Sequence, residues 1–233
     1  MSNKGKNNEK VPHQLENIEE TLSKTEEFIV NNQKVLTTIV VVLVVLILGF
    51  FGFRKYYLEP KNTEAQEQIY PAQRYFEADS LDKALYGDGN SLGFVDIAKS
   101  YSITKAGNLA NYYAGMAFLK KGNFDQAIHY LKKFKADDEL VGPMAEGALG
   151  DAYLSKNDRK EAASYYMKAA TMKSNDFTSP MFLLKAGQTY MLMGQYDDAI
   201  SAFEQIKTDY AKSQEARTIE KYIAQAKELK GNK

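Results

Sequence analysis

A pattern of small and bulky residues occurs three times in the C-terminal half of the chain. Each copy holds a small residue, an aromatic three positions later, a Gly or Asn break, and then an Ala followed four positions later by a bulky residue. The three sets are Gly115, Phe118, Gly122, Ala127 and Leu131; Gly150, Tyr153, Asn157, Ala162 and Tyr166; and Gly187, Tyr190, Gly194, Ala199 and Phe203. The sets lie 35 and 37 residues apart, and a regular period of this size is typical of stacked structural repeats.

Each copy predicts two helices joined by a tight turn. Gly122, Asn157 and Gly194 favour turns, and apolar residues recur at helical spacing on either side of each break. Where the two helices cross closely, there is no space for a large side chain. We therefore expect the small residue of the first helix to face the Ala of the second, while the bulky residues fill the wedge between hairpins. The expected pairs are Gly115 with Ala127, Gly150 with Ala162, and Gly187 with Ala199.

These residues resemble the tetratricopeptide repeat family, whose unit is a helix-turn-helix of about 34 residues. The resemblance covers residues 108–213 and departs from the family pattern at the fourth position of each unit, where Asn111, Glu146 and Leu183 replace Trp. The Pro near the end of each family unit is also missing. The predicted bounds are 64–78, 82–86 and 94–101 for three preceding helices, 108–141, 143–176 and 180–213 for the repeats, 214–229 for a cap helix, and 64–233 for the whole domain.

An apolar run precedes this domain. Residues 35–53 (VLTTIVVVLVVLILGFFGF) contain no charge, and as a helix they would extend about 28 Å, close to the thickness of the hydrocarbon core. A buried strand would be far shorter, and a signal peptide would need small residues near Phe53, where Arg, Lys and Tyr stand instead. The sequence therefore predicts an all-α chain: a single N-terminal transmembrane helix followed by a tetratricopeptide-type helical-hairpin solenoid.

The regions that flank the apolar run are polar. Residues 1–34 form a leader in which apolar residues recur at heptad-like spacing from Gln14 onward, and this spacing predicts a short amphipathic helix. Two heptads are too few for a stable coiled coil, so this helix either pairs with another chain or frays. Residues 54–63 are predicted as a linker in which Pro60 breaks the helix and marks the domain boundary.

Charge alone does not decide which side of a membrane the domain would occupy. Cytoplasmic flanks of membrane spans are enriched in Lys and Arg. Within about twenty residues of the run, Lys24 and Lys34 precede it, whereas Arg54, Lys55, Lys61 and Arg74 follow it. The lysines nearer the amino terminus roughly balance this count.

Composition excludes several classes of function. The 30 Lys and Arg residues balance the 30 Asp and Glu residues, so no net field favours nucleic acid. The chain has no Cys, and its two His residues, His13 and His129, stand in no catalytic or zinc motif. The Gly-rich segment 87–93 lacks the ligand positions of a calcium loop and the spacing of a phosphate loop, which leaves an interhelical turn. We expect no enzyme activity, cofactor or metal.

The resemblance also implies where a partner binds. In tetratricopeptide stacks, the first helix of each unit lines a groove at its second, fifth, ninth and twelfth positions. These positions are mostly apolar here and lack the Lys, Arg and Asn that clamp a carboxylate terminus. Flexible, polarizable Met suits varied apolar segments, such as those of unfolded clients. The predicted partner-binding residues are Leu109, Tyr112, Met116, Leu119, Met144, Leu154, Met181, Leu184, Gln188 and Met191, with Gly147 and Asp151 at the two remaining positions.

A second interpretation of these residues remains open. A neighbouring helix of the same chain, either the one at 64–78 or the cap helix, would cover them. In that case the ten side chains would be core, and no groove would exist.

A narrower resemblance covers the whole layout. The acidic leader, the stretch 27–36 (EFIVNNQKVL), the end of the span at 52–57 (GFRKYY) and the repeats are together similar to the YfgM family of bacterial inner-membrane proteins. The resemblance implies a cytoplasmic leader, a periplasmic repeat domain, association with the SecYEG translocon and a PpiD-like membrane-anchored prolyl isomerase, and assistance to secreted chains. The alternative is a general cell-envelope scaffold or adaptor with no translocon link.

Overall fold

The computed structural model describes residues 26–136 and 138–232, and every regular element in these ranges is helical. The all-α prediction is therefore confirmed for this part of the chain. The chain divides between Tyr57 and Leu58 into two compact units, close to the predicted boundary at Pro60. Most of the amphipathic helix predicted from Gln14 onward lies outside the described residues, although residues 26–31 are helical.

The apolar run forms helix α1, Gln33–Phe53, so the alternative of a strand is wrong. None of its side chains is buried, and Val40 and Leu48 expose 57% and 66% of their surface. The hydroxyls of Thr37 and Thr38 each donate to the carbonyl four residues earlier at 2.8 Å, so they need no external acceptor. In the described part of the chain, the helical run that starts with α1 is the one long and apolar enough to cross a membrane, by length and composition.

Residues 54–63, predicted as a linker, are helical. A π turn at Arg54–Leu58 follows α1, and helix α2, Glu59–Glu77, follows that turn directly. The predicted break at Pro60 is wrong, because Pro60 lies inside a helical run that continues from Gln33 to Glu77. The π turn directly before Pro60 shifts the backbone hydrogen bonds at this point, and local adjustments of this kind accommodate Pro in a continuing helix.

Two short helices, α3 (Leu81–Tyr86) and α4 (Phe94–Ser100), connect α2 to the repeats. Asp88 holds the Gly-rich turn between them, since its Oδ1 accepts hydrogen bonds from the two amides at positions 90 and 91, at 3.0 and 2.8 Å. The hydroxyl of Tyr75 in α2 donates to Asp88 Oδ2 at 2.7 Å and is the main reason that the pKa of Asp88 falls to about 2. The segment is thus an interhelical turn, as predicted, and it is tied to α2.

Three helical hairpins and a final helix follow, as the repeat pattern predicts. Each hairpin has an A helix and a B helix, and Gly122, Asn157 or Gly194 adopts a positive φ of 75°, 62° or 70° at the turn between them. Asn123 and Asp158 cap two of the B helices by accepting a hydrogen bond from the amide three residues later. The A helices are α5 (Lys105–Lys120), α7 (Val141–Ser155) and α9 (Thr178–Leu192), the B helices are α6 (Phe124–Lys133), α8 (Arg159–Met172) and α10 (Tyr196–Asp209), and the cap is α11 (Ile219–Gly231), after a 3-10 turn at Glu215–Thr218.

The nearest neighbours of the A-helix glycines are bulky side chains and not the predicted alanines. A Cβ at position 115 would lie 2.5 Å from Leu131 Cγ, and a Cβ at position 150 would lie 2.5 Å from Tyr166 Cε1. At position 187 the distance to Phe203 Cε1 would be 2.2 Å. The closest side chains at these crossings are therefore Leu131, Tyr166 and Phe203, and not Ala127, Ala162 and Ala199 as the sequence predicted. Those alanines are fully buried one turn earlier, and the large side chain of the B helix occupies the space that the missing Gly side chain leaves.

The bulky repeat residues divide into two groups. Phe118, Leu131, Tyr166 and Phe203 expose at most 4% of their surface, so their prediction as core is confirmed. Tyr153 and its counterpart at position 190 are half-buried, and Tyr153 stacks on Tyr165 with ring centroids 5.2 Å apart. Each A helix buries eight residues, more than its B helix does, so the core of the stack comes mainly from the A helices, and the B helices add bulky side chains such as Tyr166 and Phe203.

We expect Gly150→Leu to destabilise the fold by about 1–3 kcal/mol, because overpacking displaces a closely packed neighbour, here Tyr166. Thermal unfolding of the full chain in neutral detergent, followed by circular dichroism, measures the change. Gly231→Ala is the control, since a Cβ at position 231 meets nothing within 4 Å. An unchanged midpoint for Gly150→Leu would contradict the packing described for this crossing.

Candidate partner-binding surface

The predicted partner-binding residues lie on three neighbouring helices. α5 contacts α7, and α7 contacts α9, so the A helices form a continuous layer. All ten predicted side chains are half-buried. We call the half-buried surface formed by these ten residues the A-layer surface. The repeat period thus places these ten residues on one surface that crosses all three hairpins.

The apolar residues of the A-layer surface rest on the core. Tyr112 and Met116 pack against a buried cluster that includes Leu131 and Leu149. The ring of Tyr112 lies 5.3 Å from that of Phe134, and burial raises the pKa of its hydroxyl. Leu109 and Leu119 pack against the core next to α2, and the apolar members on α7 and α9 pack against the core of the last two hairpins. Each of these side chains therefore packs against the core and is also partly exposed to solvent.

A polar network interrupts the surface between the second and third hairpins. Lys185 Nζ of α9 donates to both carboxylate oxygens of Asp151 in α7, at 2.7 and 3.0 Å. The hydroxyl of Tyr166 donates to Asp151 Oδ1 at 2.6 Å, and burial together with this hydrogen bond raises the pKa of Tyr166. The sequence reasoning missed Lys185, which stands one residue after a predicted position. Its pairing neutralises the carboxylate that the sequence placed in the groove.

Gly147 has a different role from the one its position suggests. It is buried, and a Cβ there would lie 1.9 Å from Phe182 Cε1. Because Phe182 belongs to α9, this contact sets the close approach of two successive A helices. Gly147 therefore belongs to the packing beneath the surface and offers no binding group.

The two helices considered as covers do not extend over α7. α2 packs against α5, where Phe76 lies 5.6 Å from Tyr113, a residue outside the predicted set. The cap helix α11 packs mainly against α10 and the 3-10 turn. Neither helix has an extensive contact with α7. Partner binding at this surface remains a prediction, and the described helices leave its middle open.

The described residues contain no group of three or more His, Asp or Glu side chains placed to hold a metal ion. His129 is exposed on α6, and its ring makes an edge contact with the adjacent Tyr130 at 5.1 Å. The chemistry available at the A-layer surface is apolar contact, with one ion pair in its middle.

Known proteins share this repeat architecture. Residues 112–177 and 182–213 each match a family model described as tetratricopeptide repeat. The TPR repeat-containing protein MJ1428 of Methanocaldococcus jannaschii is 28% identical over 149 residues, which are 64% of this chain and 24% of that protein. The chain thus spans about a quarter of the length of this relative. The hairpins that these residues form are thus tetratricopeptide repeats, which indicate a helical module of the kind that binds other proteins.

Proposed function

We propose that this protein is a membrane-anchored protein-binding module whose A-layer surface takes apolar segments of other proteins. The supporting observation is that ten side chains at equivalent positions of three adjacent A helices are half-buried and mostly apolar. An apolar segment on this surface would remove the open side of each residue from water, which is favourable in proportion to the apolar area buried.

The composition of the surface suits partners of varied sequence. Met116, Met144, Met181 and Met191 have flexible, polarizable side chains that adapt to different apolar shapes. The Asp151–Lys185 pair is satisfied internally, so it presents no unpaired charge to an apolar partner. Unfolded client segments, which expose apolar residues before they fold, are the partners that this chemistry fits.

The anchor in this proposal is α1. Its apolar side chains are exposed along the whole helix and pack on no core. Immersion in a bilayer would cover them, and the intrahelical hydrogen bonds of Thr37 and Thr38 leave no polar group unsatisfied there. The anchored protein would then act beside a membrane.

The specific setting that we propose is the Sec translocon of a bacterial inner membrane. It rests on the resemblance to the YfgM family, which implies SecYEG and a PpiD-like prolyl isomerase as partners. In this setting the leader is cytoplasmic, the repeat domain is periplasmic, and the protein assists secreted or envelope proteins as a chaperone. A general envelope scaffold would share the anchor and the repeats but would lack these partners.

Translocon subunits and a membrane-anchored prolyl isomerase are expected to co-purify with the full chain after crosslinking and mild detergent extraction. Mass spectrometry of the purified fraction, compared with that of α1 fused to an unrelated soluble domain, identifies partners that depend on the repeats. Absence of both under crosslinking would remove the translocon role and favour the scaffold.

An alkaline phosphatase fused after Lys233 is expected to be active in a bacterial host, because this enzyme matures only in the periplasm. A fluorescent protein that folds only in the cytoplasm, fused at the same place, is the matched control and should be dark. The reverse pattern would make the protein a cytoplasm-facing adaptor.

Met116→Lys combined with Leu184→Lys is expected to weaken binding of an unfolded apolar peptide by about tenfold or more, because two charges enter the contact. Fluorescence anisotropy of a labelled apolar peptide measures binding. The thermal midpoint should change little, since half-buried Lys side chains can extend their ammonium groups to water.

The matched control is Ile103→Lys combined with Leu192→Lys, which adds the same charge at residues that expose 52% and 58% of their surface outside the predicted set. It should bind as the unmodified protein does. A collapsed midpoint for the first pair would mean that Met116 and Leu184 are core, and the A-layer surface would lose its assigned role.

A further inference from the structure

A cavity of about 470 Å³ lies where α4 meets the first hairpin, away from the predicted partner-binding residues. Three of its lining residues are lysines, two are asparagines, and one is a serine. The lining residues are Val95, Ala98, Lys99, Ser102, Asn108, Asn111, Tyr130, Lys133 and Lys135. This lining differs sharply from the apolar A-layer surface.

Fixed polar groups shape one wall of the cavity. Asn108 Nδ2 donates to the carbonyl of Lys135 at 2.6 Å, and Asn108 Oδ1 accepts from the amide of Lys135 at 3.0 Å, so this pair locks the chain after α6 to α5. Asn111 exposes only 8% of its surface and donates from Nδ2 to the carbonyl of Gly107 at 3.1 Å. An amide NH₂ carries two donors, so this bond uses one of them.

The three lysines of the cavity form no ion pair with any described residue, whereas several lysines elsewhere on the repeats do. Lys133 Nζ lies 5.5 Å from the centre of the Tyr130 ring. Burial, followed by the charges of Tyr86 and Asp96, raises the pKa of Tyr130, but Asp96 forms no ion pair with these lysines within the described ranges. No carboxylate of the described residues is therefore paired with the positive charge of these three lysines.

In the second hairpin, a carboxylate forms an ion pair with the lysine that corresponds to Lys133. Thirty-five residues after Lys133 stands Lys168, whose Nζ lies 2.7 Å from Glu146 Oε1 and 6.0 Å from the centre of the Tyr165 ring. Tyr165 corresponds to Tyr130 at the same spacing, and Glu146 corresponds to Asn111. The first hairpin thus repeats the lysine and the ring but replaces the carboxylate with a neutral amide.

We propose that this cavity binds a carboxylate side chain from an acidic segment of another protein. The carboxylate would occupy the place that Glu146 fills in the second hairpin, and the ammonium groups of Lys133 and its neighbours would donate to it. Charge-assisted hydrogen bonds of this kind are stronger than neutral ones. The site is independent of the A-layer surface and of the membrane anchor.

Fluorescence anisotropy with a fluorescein-labelled hexaglutamate peptide, amidated at its C-terminus, tests the site on the full chain in neutral detergent. Lys99→Gln combined with Lys133→Gln should weaken binding by about tenfold or more at low salt. The matched control is Lys160→Gln combined with Lys221→Gln, which removes the same charge at exposed residues outside the cavity. Equal weakening by both pairs would mean unspecific attraction and would overturn the proposal.

Asn111→Glu separates the site from general charge, because it supplies the carboxylate internally. We expect this variant to lose hexaglutamate binding while its thermal midpoint is held or raised. Glutarate should displace the peptide at lower concentration than inorganic phosphate does. Retained binding in Asn111→Glu, or the reverse order of the two competitors, would overturn the carboxylate assignment; if this variant fails to fold, the lysine pairs decide the question.

Discussion

The close contact between a glycine of each A helix and one bulky side chain of its B helix determines the geometry of the whole stack. Leu131, Tyr166 and Phe203 lie against backbone that carries no side chain, so the paired helices approach closely. Dispersion attraction falls steeply with distance, and such contact contributes strongly only when no gap remains. Because the same contact recurs in all three hairpins, each hairpin offers its neighbour a similar face, and stacking buries that face.

The A-layer surface follows from this arrangement. The largest side chains of the B helices are directed into the crossings, and Gly147 lets Phe182 bring two A helices together. The A helices therefore contact one another, and the side chains of the A-layer surface are half-buried. Apolar side chains at such positions keep part of their surface in water. A partner that covered this apolar surface would gain free energy from its burial. The packing that folds the repeats thus also leaves the A-layer surface partly in water.

The sequence predicted this architecture well wherever local chemistry decides it. Turns at Gly122, Asn157 and Gly194 need a positive φ, and the turn-forming chemistry of Gly and Asn placed them correctly. The sequence did not predict which side chains of different helices lie next to each other. Periodicity locates a residue along a helix but does not say which neighbour lies nearest, and the bulky side chains of the B helices lie nearer to the glycines than the predicted alanines do. The break predicted at Pro60 does not occur, because a π turn precedes this residue and the helical run continues through it. The Lys185–Asp151 pair and the lysine-lined cavity join distant segments, and no local pattern predicts them.

One position shows how repeats acquire separate functions within one frame. The fourth residue of the unit is Asn111, Glu146 or Leu183, and each lies on an A helix. Leu183 exposes 1% of its surface and is core, whereas Glu146 forms an ion pair with Lys168 while its Oε2 has no partner. Asn111 leaves the equivalent lysine unbalanced beside a cavity. The three hairpins share the glycine contact at their crossings, and the fourth position differs among them in charge and polarity.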